Sequence, residues 1–132
     1  ISVGMKKIEN IEDIRELVYT FYDKIREDKL LADIFNERIQ DRWPEHLEKM
    51  VTFWQTVLLD DHTYQGAPFP PHATLPVERE HFDRWLKLFY ETINDLFYGE
   101  LAEEAIWRAD KMSEMFQAKI AYHRERNSHP LI

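Results

Sequence analysis

Four side chains have types and spacing suited to chemistry at a single pocket. His72 lies in segment 69–76, which holds three prolines, whereas Tyr22, His46 and Trp85 fall on three separate stretches with helical spacing. A neutral imidazole binds a metal without adding charge, and a phenol or an indole donates hydrogen bonds. Taken singly, these residues have plainer explanations: a surface histidine, a half-buried tyrosine or a core tryptophan. If the helices cross, one pocket holds all four.

The composition excludes several classes of function. The chain has 132 residues, 44% of them hydrophobic, a size and apolar content that suit one compact domain. A net charge of -8 argues against nucleic acid or an anionic membrane surface as a main partner. The absence of cysteine excludes disulfides, thiolate metal sites and covalently attached c-type haem. With no apolar run long enough to span a membrane and no leader signature, we expect a cytoplasmic protein.

Apolar residues at three- and four-residue intervals predict an all-α fold of about five helices. Asn10 with Asp13 predicts a cap for the first helix, Pro44 suits the first turn of the third, and Gly99 is a stop signal after the fourth. We expect a polar connection over 36–42, a Pro-rich loop over 62–77 and a frayed chain from Arg124. The predicted helices cover 8–27, 30–35, 44–59, 78–97 and 101–122.

The domain boundaries follow from the same pattern. Met5 resembles a native start, which makes residues 1–4 foreign to the natural protein, and we expect residues 1–7 to be disordered or vector-derived. The helical domain then covers 8–123, and 124–132 forms a C-terminal tail.

The order of several short motifs along the chain resembles one known family. The motifs are Phe21-Tyr22-Asp23-Lys24, Ile34-Phe35, Trp43-Pro44-Glu45-His46, Phe53-Trp54, Tyr64-Gln65-Gly66, His72 and the run from Phe82 to Phe89. Together they resemble the truncated haemoglobins, specifically group III, over nearly the whole chain from 8 to 122. The glycine pairs that mark groups I and II at their helix ends are missing here, which agrees with group III.

The resemblance implies a truncated globin fold, a two-over-two helical sandwich around haem. It makes His72 the proximal iron ligand and Tyr22, His46 and Trp85 the distal residues. The haem is then haem b, held noncovalently because the chain has no cysteine. Lys49 is a candidate partner for a haem propionate, although an exposed lysine is the commoner meaning. The side chains expected to wall the macrocycle, or else to form an ordinary core, are Phe35, Met50, Phe53, Trp54, Phe69, Leu75, Phe82 and Ile93.

A polar distal pocket favours reversible binding of O2, NO and CO with slow release, which suits O2- or NO-linked redox chemistry better than bulk transport. NO dioxygenase-like or peroxidase-like turnover, ligand sensing and a reductase partner all follow as possibilities, so enzymatic activity stays open. His46 has three open roles: a gate, which we favour, a donor or a sixth iron ligand.

Three alternatives remain at this stage. His81, four residues before Trp85, is the rival haem ligand, although packing at a helix start is its commoner role. A di-iron helical protein is a weaker candidate, because only one Glu-x-x-His element is present, from Glu78 to His81. A cofactor-free helical interaction module is compatible with the 14% aromatic content.

Overall fold

The structure is a computed structural model that describes residues 6–64 and 75–128. These residues form five α-helices: α1 (Ile11–Glu27), α2 (Ala32–Ile39), α3 (Trp43–Leu59), α4 (Arg79–Leu96) and α5 (Glu100–Ser128). The described part of the chain holds no strand, only an isolated β-bridge between Lys6 and Phe97. The all-α prediction is therefore confirmed.

Helix α1 begins where its sequence signals place it. The Asn10 side chain accepts a hydrogen bond from the Asp13 backbone N–H at 3.1 Å, and the Asp13 carboxylate accepts one from the Asn10 N–H at 3.3 Å. This reciprocal capping box satisfies N–H groups that a helix start otherwise leaves without partners. The predicted apolar face is buried, with Phe21 and Tyr22 side by side at its centre.

Helix α2 is longer than the sequence pattern indicates. The connection expected over 36–42 is wrong in its first half, since the helix continues to Ile39 and ends at Gln40, whose φ is 56°. Ile39 is buried, and this apolar contact supports the extra turn. The connection to α3 is reduced to residues 40–42, and α3 begins with Pro44 in its first turn as predicted.

Helices α4 and α5 meet at a sharp corner. Helix α4 ends at Leu96, because Phe97 is already extended and the Tyr98 N–H donates to the Lys6 carbonyl at 3.0 Å. Gly99, with φ of +99°, makes the turn into α5 in a conformation that side chains disfavour. Lys6 was expected within the disordered N-terminus, whereas it pairs with this corner.

The frayed chain expected from Arg124 is wrong for residues 124–128, because α5 continues to Ser128, and residues 129–132 lie outside the described part of the chain. Arg124 donates three hydrogen bonds to the chain just before α4: to the Leu75 carbonyl at 3.2 Å, the Val77 carbonyl at 2.8 Å and a Glu78 carboxylate oxygen at 2.9 Å. We call this set the Arg124 clamp. It ties the C-terminal half of α5 to the start of α4.

The helices pack as two pairs. Helix α1 packs against α3, α4 packs against α5, and the pairs meet mainly where α1 contacts α4, while α2 packs on α1. None of the described helices is both long and apolar enough to cross a membrane. This arrangement gives the predicted two-over-two fold.

Within residues 6–64 and 75–128, the buried apolar residues form two hydrophobic clusters. The main cluster joins α1, α3, α4 and the first half of α5. The smaller cluster consists of Leu75, Val77 and Ile120, with Ile34 and Phe82 packed against it. Because Phe35 packs on the main cluster and its neighbour Ile34 on the smaller one, the two clusters adjoin at α2.

Candidate functional site

Tyr22 is buried in the middle of α1, with 6% of its surface exposed. Its ring lies edge-on to Phe35 on α2 and to Trp43 on α3, with centroid distances of 6.3 and 5.9 Å. Burial raises the pKa of the Tyr22 phenol above its ordinary value, because the charged phenolate is poorly solvated there. The hydroxyl therefore keeps its proton at neutral pH and is available as a hydrogen-bond donor.

His46 is brought next to Tyr22 by the packing of α3 on α1. The two ring centroids are 5.1 Å apart, with the planes nearly perpendicular at 87°. The Nε2 atom of His46 is buried. A phenol O–H and an imidazole thus share one small region of the interior, as the sequence predicted from their separate helices.

Trp85 reaches the same region indirectly, through Phe21. Its ring lies edge-on to Phe21 at 5.3 Å and parallel to Phe89 at 5.6 Å. Phe21 in turn lies 4.9 Å from Tyr22, measured between ring centroids. Trp85 is only half-buried, so part of its indole surface remains available for a further contact.

The expected wall residues differ in how much surface they have left for a cofactor. Trp54 and Ile93 are already buried in the main cluster, and Leu75 is buried in the smaller one. The other wall residues pack against one cluster or the other but are only half-buried, so part of their surface is free for a cofactor. They are Phe35, Met50, Phe53 and Phe82. Lys49 is exposed on α3, and its role toward a propionate stays a prediction.

Two predicted site residues, His72 and Phe69, lie outside the described residues. The rival histidine, His81, is engaged at the start of α4: its Nδ1 accepts the Glu78 backbone N–H at 2.8 Å. The Glu78 carboxylate is held by the Arg124 clamp. In the segments 6–64 and 75–128, no three His, Asp or Glu side chains converge as a metal site. His81 therefore packs at the start of α4, which is the commoner role that the sequence analysis gave it.

Sequence reasoning missed three residues around the Tyr22–His46 pair. Trp43 contacts both rings, its indole Nε1 donates to the Asn36 side-chain oxygen at 3.0 Å, and the Arg26 guanidinium lies over its ring at 4.6 Å. The available signal was spacing, because Trp43 precedes His46 by three residues and so shares its helix face. Asn36 and Arg26 gave no comparable signal.

The arrangement fits a flat, largely apolar cofactor with a polar ligand position on one side. Half-buried aromatic side chains from both clusters supply apolar contact surface, while Tyr22 and His46 supply a proton donor and an imidazole on the α1–α3 side. Haem has this combination of needs, namely apolar faces and a few polar groups that control its ligand.

Comparisons with known proteins agree with the fold. A family model for bacterial-like globins matches residues 6–120. The group 3 truncated haemoglobin ctb of Campylobacter jejuni is 38% identical over 112 residues, which cover 82% of this chain and 88% of that protein. The crystal structure of a group III truncated haemoglobin from Campylobacter jejuni superimposes with a TM-score of 0.81 at 37% identity, covering 88% of this chain and 95% of the other.

Proposed function

Because the chain belongs to the bacterial-like globin family as a group III truncated haemoglobin, we propose that it is a b-type haem protein that reversibly binds O2, NO and CO. Haem, when bound, supplies an iron centre with one open position for such ligands. The observation that carries this proposal is the buried Tyr22 side chain, whose ring packs edge-on against that of His46.

The residues divide the work at this site. Tyr22 remains protonated and donates a hydrogen bond toward the ligand position, and the Trp85 indole N–H is the second donor. His72 is the proximal iron ligand, and His46 gates the distal pocket. The half-buried rings Phe35 and Phe53 would contact the macrocycle and keep water out.

Two donors in a dry pocket slow the release of a polarised diatomic ligand. At about 1 kcal/mol for each donor, release slows by roughly ten-fold to a hundred-fold. Slow release suits NO oxidation or peroxide reduction better than bulk transport. NO oxidation would leave ferric iron, which a reductase would have to return to the ferrous state, whereas peroxide reduction would need an electron donor that supplies two electrons per peroxide. We place this chemistry in the cytoplasm.

The test is the visible spectrum of the haem-reconstituted protein in its ferric, dithionite-reduced and CO-exposed forms. We expect strong, ligand-sensitive haem bands from the wild type and altered or lost axial ligation in His72→Ala. The matched control is His81→Ala, which should keep the wild-type spectrum.

Each contrary result has a definite meaning. Unchanged ligation in His72→Ala, with altered ligation in His81→Ala, transfers the proximal role to His81. Failure of the wild-type protein to take up haem at all refutes the proposal and leaves the cofactor-free interaction module.

A further inference from the structure

Trp43 completes a triangle of rings with Tyr22 and His46. Its centroid lies 5.9 Å from that of Tyr22 and 5.6 Å from that of His46, while Tyr22 and His46 are 5.1 Å apart. All three contacts are edge-on, with interplanar angles of 62°, 88° and 87°. A rotation of the indole would therefore change its contacts with both neighbouring rings, because closely packed side chains transmit such shifts.

Trp43 is itself restrained from two sides. Asn36 on α2 accepts the indole N–H at 3.0 Å, and the Arg26 guanidinium on α1 lies 4.6 Å from the ring centroid. The hydrogen bond fixes the rotation of the ring, and the cation holds its face. Because its N–H donates to Asn36, Trp43 packs against Tyr22 and His46 but offers a bound ligand no hydrogen-bond donor of its own.

These restraints matter because Trp43 borders open space. A surface groove of about 410 Å³ has Arg26, Trp43 and Leu47 among its lining residues. Trp43 is nevertheless 5% exposed, so it separates this groove from Tyr22 and His46. An indole released from Asn36 has room to turn toward the groove, and the ring triangle would then loosen.

We infer that Asn36, acting through Trp43, is a positioning residue that fixes the directions of the Tyr22 hydroxyl and the His46 ring toward a bound diatomic ligand. The ligand part of this inference rests on the proposed function, whereas the ring geometry does not. The two parts can therefore be tested separately.

The test compares Asn36→Leu, which removes the acceptor, with Asn36→Asp, which keeps one. Asn94→Leu, the same change at an exposed position of α4, is the matched control, and Trp43→Phe keeps a ring but loses its N–H. The probe is CO on the ferrous haem protein, read by its C–O stretching bands, together with the O2 dissociation rate. We expect Asn36→Leu and Trp43→Phe to split or shift the C–O band and to release O2 about three- to ten-fold faster.

Asn36→Asp should restore the wild-type band, and Asn94→Leu should not change it. If Asn36→Leu and Trp43→Phe lower the melting temperature but keep the wild-type C–O band and O2 rate, these residues are merely structural and the inference is wrong.

A second measurement does not need haem. The NMR ring-proton shifts of His46 in the haem-free protein depend on the orientation of the neighbouring indole, and they should move in Asn36→Leu but stay in place in Asn94→Leu. Unchanged His46 shifts in Asn36→Leu overturn the inference, whereas absence of haem uptake by the wild type refutes only the proposed function.

Discussion

Replacing Arg124 by alanine removes the whole Arg124 clamp and should destabilise the protein by about 2 kcal/mol. The bond to Glu78 contributes little, because 41% of the Arg124 side chain and 68% of the Glu78 side chain are exposed. The larger part comes from the carbonyls of Leu75 and Val77, at 3.2 and 2.8 Å, since a charged donor to a partly buried acceptor contributes about 1 kcal/mol or more for each bond.

For a chain of 132 residues, a loss of about 2 kcal/mol corresponds to a fall in melting temperature of about 6–10 °C. Thermal unfolding followed by circular dichroism measures this change. All proteins must be compared in the same haem-bound or haem-free form, because a bound ligand adds stability by mass action.

The control is Arg126→Ala, two residues further along α5. The Arg126 contacts, a 3.1 Å hydrogen bond and a ring contact at 5.7 Å, go to Tyr122 one turn back on the same helix. We expect its melting temperature to stay within about 2 °C of the wild type. Arg124→Lys keeps the charge but lacks the planar fork that reaches several acceptors, so it should recover less than half of the loss. If Arg124→Ala and Arg126→Ala have the same melting temperature, the Arg124 clamp contributes nothing to stability and the reasoning is refuted.

Tyr22→Phe should speed O2 dissociation about five-fold in stopped-flow experiments, because one donor of about 1 kcal/mol is lost; an unchanged rate would show that the hydroxyl does not reach the ligand. For Asp13, burial opposes ionisation, but the Glu9 N–H and the Lys6 ammonium outweigh it and hold the carboxyl pKa below 3.8. The folded state therefore gains stability above that pH and loses it as the pH falls through the lower folded value. Urea denaturation should show Asp13→Asn less stable than the wild type by about 1 kcal/mol at pH 7; a gap that does not narrow below pH 3.8 would contradict this sign. His81→Ala should cost about 1 kcal/mol through the freed Glu78 N–H, and a changed Soret band in this variant would argue against its helix-start role.

Much of the fold was predictable because its signals are local. The Asn10 and Asp13 cap, the Pro44 helix start and the apolar faces of the long helices all involve residues a few positions apart. The pairing of Tyr22 with His46 followed from their helices and from the family resemblance, and the structure brings the two rings together.

The features that sequence reasoning missed depend on distant partners. Arg124 is separated from Leu75 by 49 residues along the chain, and only the folded structure shows that a position expected to fray is held. Lys6 pairs with Phe97 in the same long-range way. Asn36 was assigned to a connection between helices, so no local pattern predicted its hydrogen bond with Trp43 on the next helix.

From the two clusters of the described core, we expect the protein's lifetime to depend on haem. A macrocycle seated against side chains from both clusters would tie them into one cooperative unit, whereas the haem-free chain would open more readily around Leu75 and Val77. Because proteases cleave chains that open locally, we expect haem-starved cells to degrade this protein faster. Its cellular abundance would then follow the supply of haem without any change in transcription.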